Sequence, residues 1–173
     1  MENTVFIQEY KSPWGILLLG VYKQQLVLCD WKYRKQRNRI DARIKNGLQA
    51  TYTYQSSQLH QRVIQELEQY GQGLTKEFNI PLLPVGTEFQ KKVWEELVKI
   101  AFGKTVSYLD LSKKLGDEKA IRAVATANAA NALSIFIPCH RVVASNGDLQ
   151  GYAGGLQVKK KLLELESSQM QLF

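Results

Sequence analysis

Three short apolar runs, "TVFIQEY", "ILLLGVY" and "LVLCD", occupy residues 4–10, 16–22 and 26–30. Turn-forming residues separate them, Lys11-Ser12-Pro13-Trp14-Gly15 first and Lys23-Gln24-Gln25 second. That pattern predicts three antiparallel strands in a meander. Over residues 31–54 Lys, Arg, Gln and Asn dominate and periodicity fades, which predicts mostly loop. Leu59, Val63, Leu67 and Tyr70 then recur at helical spacing, and Gly71 stops the helix. The stretch "GQGLTKEFNIPLLPVG" gathers glycines at one end and Pro81 and Pro84 near the other. It marks a boundary, although "LTKEFNI" can add a strand.

Beyond residue 84 the pattern turns helical. Thr87 and Gln90 fit a capping box, and Phe89, Val93, Trp94, Leu97 and Ile100 line one face of a helix ending near Gly103. A second helix follows Val106-Ser107, with Leu111 and Leu115 inward and Gly116 as its stop. A third starts around Asp117 and runs through "EKAIRAVATANAAN". Two helices joined by a Gly-containing turn predict a helix-turn-helix. Asn146-Gly147 is a hairpin signal, and a hairpin behind a helix-turn-helix reads as a winged helix. The last helix is "LQVKKKLLELE". The expected organisation is a strand-rich α/β domain over residues 1–83, a small antiparallel sheet plus a helix, followed by a mainly α winged-helix domain over residues 84–173.

Of the 173 residues 45% are hydrophobic, enough for a core. No run of about 18 apolar residues predicts a membrane span. "MENTVFIQEY" does not read as a secretory signal, and two distant cysteines suit a reducing, cytoplasmic setting. Lys and Arg number 23 against 16 Asp and Glu, a formal charge of +7 that is compatible with a phosphate-rich partner. The basic run Lys32 to Lys45 either extends a nucleic-acid footprint or is a solvated loop.

On the third helix Arg122, Ala125, Thr126, Ala129 and, at the margin, Ala130 share one face, while Ile121, Val124 and Asn128 lie opposite. One long cation among small side chains lets the helix approach a groove closely, or simply pack on another helix. A face with so few polar side chains does not suit reading bases in the major groove; it suits backbone and shape recognition in the minor groove.

Chemistry concentrates in "IPCHRV". Cys29 lies in an apolar strand and reads as a small buried hydrophobe. Cys139 instead precedes His140-Arg141, and an imidazole can take a thiol proton to make a nucleophile. Strand neighbours point to opposite faces, so His140 reaches the Cys139 thiol only if the chain bends or through a water. Glu166 follows the apolar stripe Val158, Leu162, Leu165 and either orients His140 or sits at a frayed, solvated helix end. Cys29, Cys139, His60 and His140 lack metal-ligand spacing, so no metal is expected.

Taken together, "GTEFQKKVW", "TVSYLDLS", "RAVATANAAN", "IPCHRVV" and "GYAGGLQVKKKLLELE" resemble the 6-O-alkylguanine-DNA alkyltransferases (methylated-DNA–protein-cysteine methyltransferases), from about Gly86 to Glu166. The first half resembles them loosely, in its strand-rich domain, which the family makes ribonuclease-H-like, and its "SPWG" turn. The resemblance implies a monomer that binds double-stranded DNA through the minor groove and flips an alkylated guanine into a pocket. Cys139 would accept the alkyl group irreversibly, once per molecule and without a cofactor. His140 would take the thiol proton through a water, oriented by Glu166. Tyr108 would donate to the guanine, and Asn131 would brace the turn behind the recognition helix. Arg122, Ala123, Thr126, Ala129, Tyr108 and Arg141 would contact DNA, with Arg122 filling the gap in the base stack. Val142, Tyr152 and Ala153 would border the pocket. Such a protein is cytoplasmic, or nuclear in a eukaryote. Ala132 departs from the family proline after the asparagine. Rival expectations are a cysteine-independent module that flags alkylated DNA, a winged-helix regulator and a cysteine hydrolase.

Overall fold

The computed structural model describes residues 3–171, with side chains as far as Ser168. They form two compact units, Met1–Gly86 and Thr87–Phe173.

In the first unit β1 (Asn3–Ser12), β2 (Gly15–Tyr22) and β3 (Gln25–Trp31) make the antiparallel meander that the pattern predicts. Lys23 and Gln24 both take positive φ, 46° and 66°, which suits the tight turn between twisted strands. The "SPWG" turn is pinned from two sides. Trp31 Nε1 donates to the Trp14 carbonyl at 3.0 Å, and the Trp14 ring packs on Tyr70 with centroids 5.8 Å apart.

Residues 31–54 are not mostly loop. They form α1 (Arg37–Leu48) and β4 (Ala50–Tyr54), and β4 pairs parallel with β1. The sheet is therefore mixed, in the order β3-β2-β1-β4, rather than antiparallel throughout. Periodicity misses α1 because only Ile40 and Ile44 are buried in it. Charge does the remaining holding. Buried Asp30 accepts from Arg34 Nη1 and Arg37 Nη1, both at 3.1 Å, and Arg37 also holds Asp41, which accepts from Tyr52 Oη at 3.0 Å. Lys32 pairs with Glu9, and Arg43 donates to the Val85 carbonyl at 3.0 Å. Much of the basic run is thus committed within this unit; Lys35 and Arg39 remain exposed.

The helix predicted over 56–70 is α2 (Gln58–Gly71), with Leu59, Val63, Leu67 and Tyr70 all buried. "LTKEFNI" adds no strand. Residues 81–83 run along the free edge of β3 instead, with Leu26 N donating to the Pro81 carbonyl and Leu83 N to the Leu26 carbonyl. His60, fully buried, ties α2 to the sheet. Its Nδ1 accepts from the Ser57 backbone at 2.9 Å, and Nε2 faces the Phe6 and Leu19 carbonyls at 2.9 and 3.2 Å.

The second unit opens with α3 (Glu88–Val98), started by the predicted Thr87/Gln90 capping box. Val93, Trp94, Leu97 and Ile100 are buried, but Phe89, in the helix's first turn, is 40% exposed. Next come β5 (Val106–Ser107) and α4 (Tyr108–Lys114), with Leu111 buried and Leu115 only half-buried past the helix end. Gly116 at φ 86° turns the chain, a 3-10 turn covers Glu118–Ala120, and α5 (Ile121–Ala129) follows. Val124, Ala127 and Asn128 face inward, and Trp94 Nε1 donates to the Ala127 carbonyl at 2.9 Å. Ile121, placed inward by periodicity, is instead 38% exposed at the junction of the 3-10 turn and α5. The Asn146-Gly147 turn forms, with Gly147 N donating to the Ala144 carbonyl, but the expected strand hairpin does not. β6 (Val142–Val143) pairs in parallel with β5 instead. The chain then leaves through Gly151 and Gly155, both at positive φ, into α6 (Leu156–Gln171). Among the described residues no helix is long and apolar enough to cross a membrane.

Burial holds His60 below the ordinary histidine value of 6.5, against the pull of the two carbonyls. A depressed histidine stabilises the fold above its unfolded pKa and loses that contribution as pH falls through the folded one. Denaturant unfolding should therefore show stability falling below about pH 6.5. His60→Gln, which keeps the capping-box chemistry but cannot titrate, should flatten that fall and cost about 1–3 kcal/mol at neutral pH. An unchanged slope rules His60 out as its source.

Candidate active site

The segment 131–143 is buried at every residue and carries the sequence-predicted nucleophile. Asn131, directly behind α5, brackets it. Its Nδ2 donates to the Ile137 carbonyl at 2.9 Å, and its Oδ1 accepts from Leu133 N at 3.0 Å. Between them Ile135 sits at φ 74°, a region costly for a β-branched residue. Asn131 thereby closes a tight, strained loop that delivers Pro138 and Cys139.

Cys139, His140 and Arg141 lie in a 3-10 turn, with Arg141 N donating to the Pro138 carbonyl at 3.0 Å. This is the bend that a strand lacks. Successive side chains diverge by about 120° instead of opposing each other. Cys139 is buried, and His140 is completely so.

Glu166, on α6, is buried rather than frayed. Its Oε1 lies 2.9 Å from His140 Nε2, and the carboxylate accepts from Arg141 Nε at 3.1 and 3.0 Å and from Arg141 Nη2 at 2.7 Å. Burial works to raise the Glu166 pKa, but the hydrogen bonds and charges of His140 and Arg141 outweigh it and hold the carboxyl down at about 2. Glu166 is therefore ionised. For His140, burial dominates and lowers the pKa, helped by the Arg141 and Lys159 charges and opposed by Glu166. The imidazole is neutral near pH 7. An ionised carboxylate only accepts, so Nε2 carries the proton and Nδ1 the lone pair. Nδ1 is buried and has no hydrogen-bond partner among the described residues, an open basic position.

Arg141, expected at a DNA surface, points inward. Besides Glu166 it donates from Nη1 to the Ile100 carbonyl at 2.6 Å, so its guanidinium is committed to this unit's interior. The remaining predicted DNA contacts on α5, Arg122, Ala123, Thr126 and Ala129, are exposed. Thr126 Oγ1 bonds back to the Arg122 carbonyl at 2.9 Å, which keeps that face small.

Tyr108, at the start of α4, is half-buried and donates from Oη to the Gln150 carbonyl at 3.1 Å. Burial, then the neighbouring Cys139, raises its pKa, so it stays a donor. Tyr152 presents its ring edge-on to His140, with centroids 6.4 Å apart. Val142 is buried in β6, and Ala153 is half-buried in the loop before α6.

One residue escaped the sequence pattern. Lys159 is fully buried on α6 and donates from Nζ to the Gln150 carbonyl at 2.8 Å. Seven residues before Glu166, it shares that residue's helical face. The spacing was available, but lysine in "VKKK" reads as solvent-facing.

The chain is similar along most of its length to proteins of one family. The model of the 6-O-methylguanine DNA methyltransferase DNA binding domain matches residues 88–168. The chain is 38% identical over 160 residues to a methylated-DNA–protein-cysteine methyltransferase of Methanosarcina acetivorans, covering 92% of this chain and 96% of that protein. A Mycobacterium leprae protein of the same name is 45% identical over 92% of this chain and 90% of its own. The crystal structure of Mycobacterium tuberculosis OGT in complex with DNA superposes with a TM-score of 0.80 at 32% identity, over 95% of this chain and 94% of that one. The chain belongs to the methylated-DNA–protein-cysteine methyltransferase family.

Proposed function

We propose that this protein repairs DNA by direct reversal, moving the alkyl group of a 6-O-alkylguanine onto Cys139. The observation that carries the residue assignment is the buried Glu166–His140 pair, which leaves the basic Nδ1 open one residue from a buried cysteine. His140 Nδ1 takes the thiol proton through a water. The sulfur attacks the alkyl carbon in line, a C–S bond forms and the C–O bond breaks. Guanine leaves as its 6-oxo anion, accepts a hydrogen bond from Tyr108 Oη, and then takes up a proton. Tyr108 gives up its bond to the Gln150 carbonyl to do this. The thioether has no easy leaving group, so each molecule acts once and no cofactor is required.

The helix-turn-helix α4–α5 engages duplex DNA from the minor groove. The exposed small residues of α5 allow close approach, and Arg122 fills the place of the flipped base. Val142, Tyr152 and Ala153 border the base pocket, and Asn131 braces the loop that carries Cys139. We read the second unit as a winged helix whose wing is reduced to the Asn146-Gly147 turn. The first unit reads as ribonuclease-H-like, supported by its meander with a parallel fourth strand. The protein works as a monomer in the cytoplasm.

Intact mass after incubation with a duplex carrying one 6-O-methylguanine should rise by one methylene, at most once per chain, on the peptide containing Cys139. Cys139→Ala should keep the affinity and lose the mass gain. Tight binding of the modified duplex with no mass change in the wild type would make this a lesion-recognition protein instead.

Glu166→Gln tests the pair. Holding the carboxyl at about 2 instead of the ordinary 4.5 corresponds to about 3 kcal/mol, within the roughly 3–5 kcal/mol expected when a buried ion pair loses one partner. The variant should lose about that much stability and transfer methyl more slowly. In the wild type this contribution is present above the unfolded carboxyl pKa and lost as pH falls toward about 2. A full-rate, fully stable Glu166→Gln would remove Glu166 from the mechanism.

A further inference from the structure

Asn128 is the polar member of the inward face of α5, beside Val124 and Ala127, and it is 5% exposed. Asparagine is a weak helix former, and the Asn128 Oδ1 is buried with no hydrogen-bond partner. An apolar side chain would fill the same place without stranding an acceptor, which points to a role for the other end of the amide. That end meets the Tyr108 phenol, where α5 packs on α4. Tyr108 Oη has a single proton and gives it to the Gln150 carbonyl at 3.1 Å. The amide group facing that oxygen must therefore be the donor. Nδ2 points to Oη, and Oδ1 is left on the far side.

We infer that Asn128 is a positioning residue for the transfer: its amide donates to the Tyr108 phenol oxygen, aims the phenol O–H at the flipped guanine and answers the negative charge that grows on that oxygen as guanine leaves. The inference rests on the alkyl-transfer reading above. In the free protein the phenol oxygen sits between Nδ2–H and the Gln150 carbonyl. A base entering the pocket replaces only the carbonyl. With one side of the oxygen held by Asn128, the O–H swings while the lone pair stays pinned. When the C–O bond of the lesion breaks, the guanine anion draws the phenol proton toward itself. Oη becomes more negative, and the hydrogen bond from Nδ2 strengthens with that charge. No bond is made or broken at Asn128, and its dipole is in place before the reaction starts. The same hydrogen bond works to lower the phenol pKa, against burial and the Cys139 charge that raise it. The phenol stays protonated, yet it is a readier donor than burial alone would leave it.

Backbone contacts hold both partners in register. The Ala127 carbonyl accepts from Trp94 Nε1 at 2.9 Å, and the Asn128 carbonyl accepts from Asn131 N at 3.3 Å. Asn128 is thus fixed between α3 and the loop that delivers Cys139. Ser112 Oγ, donating to the Tyr108 carbonyl at 2.8 Å, steadies Tyr108 at the head of α4.

The test compares the wild type with Asn128→Leu, which is of similar size and lacks the amide, with Tyr108→Phe and with the double variant, all as full chains. Single-turnover methyl transfer in Asn128→Leu should slow by about tenfold, with unchanged affinity for the modified duplex. Tyr108→Phe should be slow as well, and adding Asn128→Leu to it should cost nothing more, because the amide acts through the phenol. Asn128→Ala carries the same expectation on a helix already rich in alanine, should leucine not fit. A pH titration of Tyr108 by NMR of isotope-labelled tyrosine, with the signal assigned from Tyr108→Phe, needs no DNA. Cys139 and Lys159, the titratable groups beside the phenol, are the same in wild type and variant. Loss of the amide should therefore move the Tyr108 midpoint upward. Wild-type transfer rates in both Asn128 variants, losses that add to that of Tyr108→Phe, a loss confined to duplex affinity, or an unmoved Tyr108 titration would overturn the inference. A wild type that transfers no methyl sinks the alkyl-transfer reading instead, and the titration still decides whether Asn128 holds the phenol.

Discussion

Glu166 is 1% exposed, and a carboxylate so far from water persists only where its charge is answered and its lone pairs are filled. Arg141 does most of this with three contacts, and His140 supplies the fourth. Both partners come from one 3-10 turn, while Glu166 comes from α6, 25 residues on. The interaction therefore fixes α6 against the turn carrying Cys139. It also settles the histidine tautomer, since the proton must lie on Nε2 for the bond to exist. Arg141 extends the constraint to the end of α3 through the Ile100 carbonyl. An element that looks like surface chemistry in the sequence is thus the internal frame of the site.

The second constraint is backbone geometry. The chain must run from the exposed face of α5 to a buried cysteine within ten residues, and it does so through Ile135 at a positive φ. Such a conformation costs about 1–3 kcal/mol and persists only where its surroundings enforce it. The two Asn131 hydrogen bonds span that turn, and Leu133, Ile135 and Ile137 are each buried around it. Ala132 next to Asn131 costs no hydrogen bond here, because the bracket uses the asparagine side chain and backbone groups beyond it.

Where apolar spacing carries the structure, the sequence is readable. The β1–β3 meander, the α2 stripe and the Thr87/Gln90 cap all follow from side-chain type and period. Where charge or backbone replaces apolar burial, it is not. α1 buries two isoleucines and is held by Asp30 with Arg34 and Arg37, so a periodicity search sees a polar loop. β4 follows from the same error, and with it the mixed character of the sheet. Arg141 reads as a DNA contact, and Lys159 draws no notice, for a related reason. A cation's direction depends on a partner 25 residues away or on a loop carbonyl, and neither is a property of its own neighbourhood. Cys139, His140 and Glu166 were legible as candidates because each is an unusual residue in an apolar setting. Their mutual geometry required the fold.

The two cysteines separate residue type from reactivity. Both are buried. Burial, followed by the adjacent Asp30 charge, pushes the Cys29 thiol far above its usual range. It is chemically inert by placement. Cys139 is buried to a similar degree, so desolvation alone would make it inert too. The difference lies in its neighbours: His140, the next residue, has a buried Nδ1 with no hydrogen-bond partner among the described residues, and burial and Cys139 keep the Tyr108 phenol protonated. A buried thiol of this kind meets little adventitious electrophile in solvent, yet its thiolate becomes accessible once a substrate carbon is delivered in line. For a protein whose product is a permanent thioether, that selectivity matters more than speed, because every wasted alkylation removes a whole molecule.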